Sequence, residues 1–236
     1  MRLDKYLANK GLGSRKEVKK YIEEENVYIN GLLVTKANKE INPEKDKLVL
    51  KNKDKISKDY LYLMMNKPSG FICQTKSLSK KTVIDLLPKD LQKKDLSPAG
   101  RLDLDTEGLV ILTNDGLFLQ KIISPSSTIY KKYYARVDKA MEEADIKKFE
   151  EGIYIKEENY KCLAAKLEII SPKECYVYIR EGKYHQVKRM LKACGKKVLY
   201  LKRLAIGKVY LDKNLKSGSY RKLSDEEIYL LKKDFD

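Results

Sequence analysis

Residues 99–116 read Ala99-Gly100-Arg101-Leu102-Asp103-Leu104-Asp105-Thr106-Glu107-Gly108-Leu109-Val110-Ile111-Leu112-Thr113-Asn114-Asp115-Gly116. From Leu109 the run is apolar without a break for four residues, then stops at turn-forming residues, which predicts a short buried strand. Ahead of the strand, two aspartates, a hydroxyl and an arginine stand between two glycines. Glycines permit close backbone approach by another group, and a strand fixes the loop that leads into it. A carboxylate held there can serve as a nucleophile or a general base. The same residues can also form a plain turn in which Asp105 and Thr106 satisfy local backbone groups.

Downstream, Asp115 is placed to cap a helix with Leu117, Ile122 and Ile123 on its buried side and Pro125 beyond its end. YYARV and CYVYIREG read as strands, EADIKKFEEG as a helix stopped by Gly152, and YHQVKRMLKACG as an amphipathic helix ended by Gly195. RLAIGKVYL is one further strand candidate, and Ser224 with Glu227 has capping-box spacing before a final helix. Upstream, YLYLMMNKPSG is a strand running into a turn, and the charged stretch 51–59 reads as a linker. Before it, Leu3, Tyr6 and Leu7 recur at helical spacing until Gly11 and Gly13. Ser14 and Glu17 open a second helix with Val18, Tyr21 and Ile22 on its apolar face, and Asn30-Gly31 is a hairpin turn. Strands and helices intermix without βαβ alternation. The expected fold is therefore α+β, a small module over 1–58 with its linker and a second domain over 59–236, with a mixed, largely antiparallel sheet flanked by helices.

The 236 residues are 42% hydrophobic, enough for packed cores, and no apolar run approaches the roughly 20 residues of a membrane-spanning helix. With no secretion signal at MRLDKYLANKG, the expectation is a cytoplasmic protein without a membrane partner. Fifty basic residues against 34 acidic ones give a net charge of +16, which suits a polyanionic partner without choosing RNA over DNA. Cys73, Cys162, Cys175 and Cys194 are widely spaced and there is one histidine, so a metal site is not expected.

GRLDLDTEGL resembles the catalytic motif of the RNA pseudouridine synthases, in which the first aspartate, here Asp103, matches the nucleophile. Three segments match the family in order. Asn66-Lys67-Pro68-Ser69-Gly70 is similar to its first motif, a turn beside the cleft. Lys131-Lys132-Tyr133 with Ala135 and Val137 is similar to the segment supplying the active-site tyrosine, here Tyr133. Glu181-Gly182-Lys183-Tyr184-His185-Gln186-Val187-Lys188-Arg189-Met190 resembles the motif whose basic residue pairs with the nucleophile, here Lys188, with Arg189 adjacent as a competitor. The resemblance implies catalytic roles for Asp103, Tyr133 and Lys188, and puts Arg101, Asn66, Lys67, Gln186 and Arg189 on the substrate side. It implies no cofactor, and His185 as a hydrogen-bonding or packing residue rather than a base.

Residues 1–34 resemble the S4 RNA-binding domain, implying contacts to RNA from Arg2, Lys5, Ser14, Arg15, Lys19 and Lys20, with Asn30 and Gly31 in its turn. Two domains in this order point to the ribosomal-RNA branch, and EGKYHQVKRM and MRLDKYL to the enzymes acting on small-subunit 16S rRNA. The expected protein is a monomeric isomerase that converts a uridine of 16S rRNA, free or in an assembling small subunit, to pseudouridine. The alternatives are a large-subunit (23S rRNA) target, a non-catalytic RNA-binding assembly factor, and a DNA-binding protein, which the charge allows but the motifs do not explain.

Overall fold

The computed structural model describes residues 1–9, 12–13, 15–51, 60–124 and 127–233. In the N-terminal module, α1 (Leu3–Asn9) and α2 (Arg15–Glu23) pack on a small antiparallel sheet of β1 (Val27–Ile29), β2 (Leu32–Leu33) and β3 (Leu48–Leu50), in the order β2-β1-β3. Helical spacing carries Leu3 and Leu7 of α1 and Val18 and Ile22 of α2 into one core, which Val27 and Ile29 complete. Asn30 (φ 51°) and Gly31 (φ 80°) turn β1 into β2. The Asn30 side chain then donates to Asp46 Oδ1 (2.9 Å) and accepts from the Lys47 amide (2.8 Å), steering the chain into β3, a strand the sequence reading did not include. The expected break at Gly11, the Ser14 cap and linker residues 52–59 lie outside the described residues, as does the expected 58/59 boundary.

The remaining elements are β4 (Tyr62–Lys67), α3 (Lys89–Gln92), β5 (Ser97–Ala99), β6 (Glu107–Thr113), α4 (Gly116–Ile123), β7 (Lys131–Val137), α5 (Glu143–Glu151), β8 (Tyr154–Ile155), β9 (Tyr160–Lys161), β10 (Lys166–Ser171), β11 (Glu174–Ile179), α6 (Gln186–Ala193), β12 (Val198–Ile206), β13 (Val209–Tyr210), β14 (Tyr220–Lys222) and α7 (Asp225–Lys233). Nine strands form one sheet along the path β10-β11-β7-β12-β6-β4-β14, with β13 on β12 and β5 on β6. Every pairing is antiparallel except β6 with β12, so the sheet is mixed and largely antiparallel. Leu109, Val110, Ile111 and Leu112 are wholly buried, as an unbroken apolar strand in the middle of a covered sheet requires. On β7 the alternation is strict: Lys131, Tyr133, Ala135 and Val137 face inward while Lys132, Tyr134 and Arg136 face the other way.

Gly108 is what lets β12 lie beside β6. A Cβ there would stand 2.2 Å from the Arg203 carbonyl oxygen, and its φ of 104° is open only to glycine. Asp115 caps α4 by accepting the Leu117 and Phe118 amides at 3.1 Å each. The buried side of α4 is Phe118 and Ile122; Ile123 is exposed, contrary to expectation, because it points toward the cavity described below. RLAIGKVYL is two strands, β12 and β13, folded back on each other at Gly207 (φ 55°). Ser224 and Glu227 form the expected reciprocal cap at the start of α7.

Candidate active site

The loop between β5 and β6 is fixed from below by the turn that follows β4. Within the loop, the Thr106 amide donates to the Asp103 carbonyl (3.1 Å), and the Gly70 amide donates to the Leu104 carbonyl (2.8 Å). The Lys67 ammonium is fully buried and donates to the carbonyls of Thr106 (2.7 Å), Pro68 (3.0 Å) and Leu104 (3.2 Å). Burial pulls the Lys67 pKa below the usual lysine range, while the charges of Cys73, Asp105, Glu107 and Asp103 work against that fall. On the other side, the Leu102 amide donates to Cys73 Sγ at 3.3 Å. Asp103 is thus presented on a loop held at residues 102, 104 and 106.

Opposite the loop stands the start of α6. Gln186 is buried, accepts the Lys183 amide (2.9 Å) and donates to Glu181 Oε1 (2.7 Å). Glu181 also accepts the Leu163 amide (2.8 Å) and the Tyr160 hydroxyl, so it fixes the entry to the helix. Two residues after Gln186, Lys188 Nζ lies 3.2 Å from Asp103 Oδ2 and 2.5 Å from Asp105 Oδ1. The side chains of Lys188 and Asp103 are 22% and 25% exposed, so water screens their attraction only in part. Asp105 is open to solvent; burial pushes its pKa up, but the hydrogen bond and charge of Lys188 outweigh that and hold it below the usual range.

Arg189, one residue further, is rotated about 100° around the helix. It pairs with Glu158 and lies 5.0 Å from the Tyr184 ring, away from Asp103. His185 enters the helix at φ 50°, stacks on Tyr184 at 3.8 Å, and brings Nε2 to 3.5 Å from Asp103 Oδ1.

Asp103, Arg101, Tyr133 and His185 all line one cavity of about 1060 Å³. Tyr133 reaches it from β7 and is otherwise buried. Asn66 and Lys67 do not line it: Asn66 donates to the Leu215 carbonyl (2.8 Å), and Lys67 works behind the loop. In the N-terminal module, Arg2 makes a two-point contact with Asp4 (2.8 and 3.1 Å). Burial alone raises the Asp4 pKa, but the Arg2 and Lys5 hydrogen bonds and the charges of Arg2 and Arg15 bring it below the ordinary carboxylate range. Lys5, Arg15, Lys19 and Lys20 are exposed, the last two beside Glu23 (3.6 Å) and Glu24 (3.8 Å). Gly31 is exposed and the Asn30 side chain is occupied within its own module.

Lys131, Arg180 and Arg203 line the cavity, although the sequence, which places Lys131 in the tyrosine motif and the two arginines in strand segments, assigns none of them a site role. Lys131 and Arg203 occupy inward positions of alternating strands, beside Tyr133 and Leu201. A charge on the buried face of a strand was the signal that could have found them.

A loop-borne acid at the wall of a cavity, paired with a lysine and following a basic N-terminal module, is the arrangement of an enzyme whose substrate carries negative charge. The family model described as RNA pseudouridylate synthase matches residues 61–193, more than half of the chain, and the S4 domain model matches residues 1–46. The chain belongs to the RNA pseudouridine synthases. It is 36% identical over 228 residues to ribosomal small subunit pseudouridine synthase A of Escherichia coli (strain K12), covering 97% of this chain and 98% of that protein. To an uncharacterized RNA pseudouridine synthase of Bacillus subtilis (strain 168) it is 42% identical over 235 residues, 98% of each. A solved structure described as a crystal structure of pseudouridylate synthase superposes with TM-score 0.74 at 38% identity, covering 98% of this chain and 99% of that one.

Proposed function

We propose that this pseudouridine synthase acts on 16S ribosomal RNA, with Asp103 as nucleophile, Lys188 as its cationic partner and Tyr133 as the aromatic face for the extruded base. The approach of Lys188 to within 3.2 Å of Asp103, which lines the cavity together with Tyr133, carries the reading. In the reaction the C1′–N1 bond breaks, the base turns, and a C1′–C5 bond forms; C5 gives up a proton and N1 gains one. Nothing is oxidised or added from outside. An ionised carboxylate can attack the ribose anomeric carbon or the pyrimidine ring, and a neighbouring ammonium favours its ionised form. The target base is out of reach while stacked, so it is flipped into the cavity at a cost of a few kcal/mol. Stacking on Tyr133 offsets this by roughly 1–3 kcal/mol. The N-terminal module, with Arg2, Lys5, Arg15 and Lys19 on or near its helices, grips RNA outside the cavity. Support for the small-subunit target comes from relatives named ribosomal small subunit pseudouridine synthase A, at 36% identity in Escherichia coli and in Yersinia pestis.

The test is incubation of the purified chain with unmodified 16S and 23S rRNA and mapping of pseudouridine. Product is expected in 16S rRNA alone; product in 23S rRNA alone would reassign the target. Asp103→Asn is expected to abolish product and leave RNA affinity within about threefold. Turnover by that variant removes Asp103 as nucleophile.

A further inference from the structure

Three cations of the cavity lining come from neighbouring strands. Lys131 opens β7, Arg203 lies on β12 beside the Tyr133 backbone, and Arg180 follows β11. Arg203 is 2% exposed. Its Nε donates to the Leu109 carbonyl at 2.8 Å, and its Nη2 is buried with no hydrogen-bond acceptor. The Nε of Arg180 is likewise buried and unpartnered, while its guanidinium lies 5.4 Å from the Tyr130 ring. Lys131 is buried to 9% exposure and makes one hydrogen bond, to the Arg180 carbonyl at 2.8 Å. Burial first, and then the Arg203 charge, pulls its pKa down to about 8.

Among the described residues the acids lining this cavity are Asp103 and Glu181, and both are engaged elsewhere. Asp103 faces Lys188; Glu181 holds Gln186, Leu163 and Tyr160. Buried cations without a counter-ion are costly, and unpaired guanidinium N–H groups are more so, because the planar fork offers donors that nothing accepts. Arginine forks suit the oxygens of a phosphate. At Gly100, one residue before Arg101, an added Cβ would meet Arg203 Nη1 at 3.5 Å, so the guanidinium sits directly against the chain that leads to Asp103.

We propose that Lys131, Arg180 and Arg203 form a phosphate subsite that takes a backbone phosphodiester next to the flipped uridine and so fixes the nucleotide against Asp103 and Tyr133. The inference rests on the reading of this cavity as the place that receives the extruded nucleotide. The subsite binds the part of the nucleotide that does not react, and its hold on the phosphate positions the sugar before the glycosidic bond is broken.

The full chain is titrated, by NMR or calorimetry, with uridine, uridine 5′-monophosphate, uridine 3′-monophosphate and inorganic phosphate. At least one monophosphate is expected to bind roughly tenfold or more tightly than uridine. That gain is lost in Arg203→Gln and in Lys131→Met, and partly kept in Arg203→Lys. Inorganic phosphate should displace the monophosphate and weaken RNA binding. Equal affinity for uridine and both monophosphates, a gain that survives in both variants, or phosphate binding that leaves RNA affinity unchanged each overturns the proposal. If Arg203→Gln does not fold, Lys131→Met carries the test. None of these readings needs turnover. An active wild-type enzyme without the phosphate preference therefore sinks the subsite alone, and an inactive one that shows the preference sinks the isomerase reading alone.

Discussion

Substituting Lys67→Met removes a charge without emptying the space its stem fills. The ammonium satisfies three backbone carbonyls, those of Thr106, Pro68 and Leu104, at 2.7–3.2 Å, in a position with no solvent exposure. Each carbonyl left unpaired costs about 1–3 kcal/mol. Relief of the buried charge works in the opposite direction, since burial already disfavours the protonated lysine. With three acceptors orphaned and one desolvated ammonium released, the net loss is expected at roughly 2–4 kcal/mol. Two of the three carbonyls belong to the loop carrying Asp103, so the damage extends to the chemistry. A displacement of about 1 Å there can cost roughly 100-fold in rate. Urea unfolding should show a lower midpoint with an unchanged slope, and single-turnover pseudouridine formation should slow by roughly 10- to 100-fold at saturating RNA. A variant within about 0.5 kcal/mol of wild type and within threefold in rate would refute the reasoning, because the loop would then hold itself.

Neutralising Arg15 and Lys19 together (Arg15→Gln, Lys19→Gln) should weaken RNA binding and flatten its salt dependence by about one to two phosphate contacts' worth of slope, read from Kd between low and moderate salt; an unchanged slope means RNA does not use this face. Lys131 releases its proton near pH 8 when folded and near the ordinary lysine value of 10.5 when unfolded. Between those values the unfolded chain binds the extra proton, so this lysine's contribution to stability rises with pH across that window. RNA affinity moves the other way, falling between about pH 7 and 9 as one cation of the cavity is lost. Both trends should be absent from Lys131→Met, measured by urea midpoint and by Kd; identical pH profiles for the two proteins defeat the assignment.

Much of the architecture was legible because local rules and tertiary packing agree. Leu109–Leu112 is apolar and central, Asp115 and Ser224 cap the helices they precede, and Asn30-Gly31 turns as its φ angles demand. What escaped reading lacked local signals. β14 has three residues with no apolar alternation, and β13 was fused with β12 because Gly207 alone marks the reversal. In the site, motif resemblance marked Asp103, Tyr133 and Lys188, but residue type could not say what each neighbour does. Lys67 and Asn66 hold backbone, a role visible only once their buried acceptors are seen. Lys188 and Arg189 stand side by side in sequence, and only the helical rotation of α6 separates the one beside Asp103 from the one beside Glu158. His185 at 3.5 Å from Asp103 was placed by backbone geometry, a left-handed residue ahead of the helix, which composition does not foretell.

The place of β12 bears on how the molecule is made. Strands β4, β5 and β6 can pair with one another, and β7, β10 and β11 likewise, but in the sheet of the described residues the two groups are joined through residues 198–206. A ribosome therefore releases most of the chain before the two halves can be joined, and each half carries an unpaired edge until then. Nascent chains stalled short of residue 206 are expected to be protease-sensitive and aggregation-prone at the inner edges of β6 and β7. The late strand that closes the gap also delivers Arg203, so closure of the sheet and completion of the cavity are one event in the life of the polypeptide.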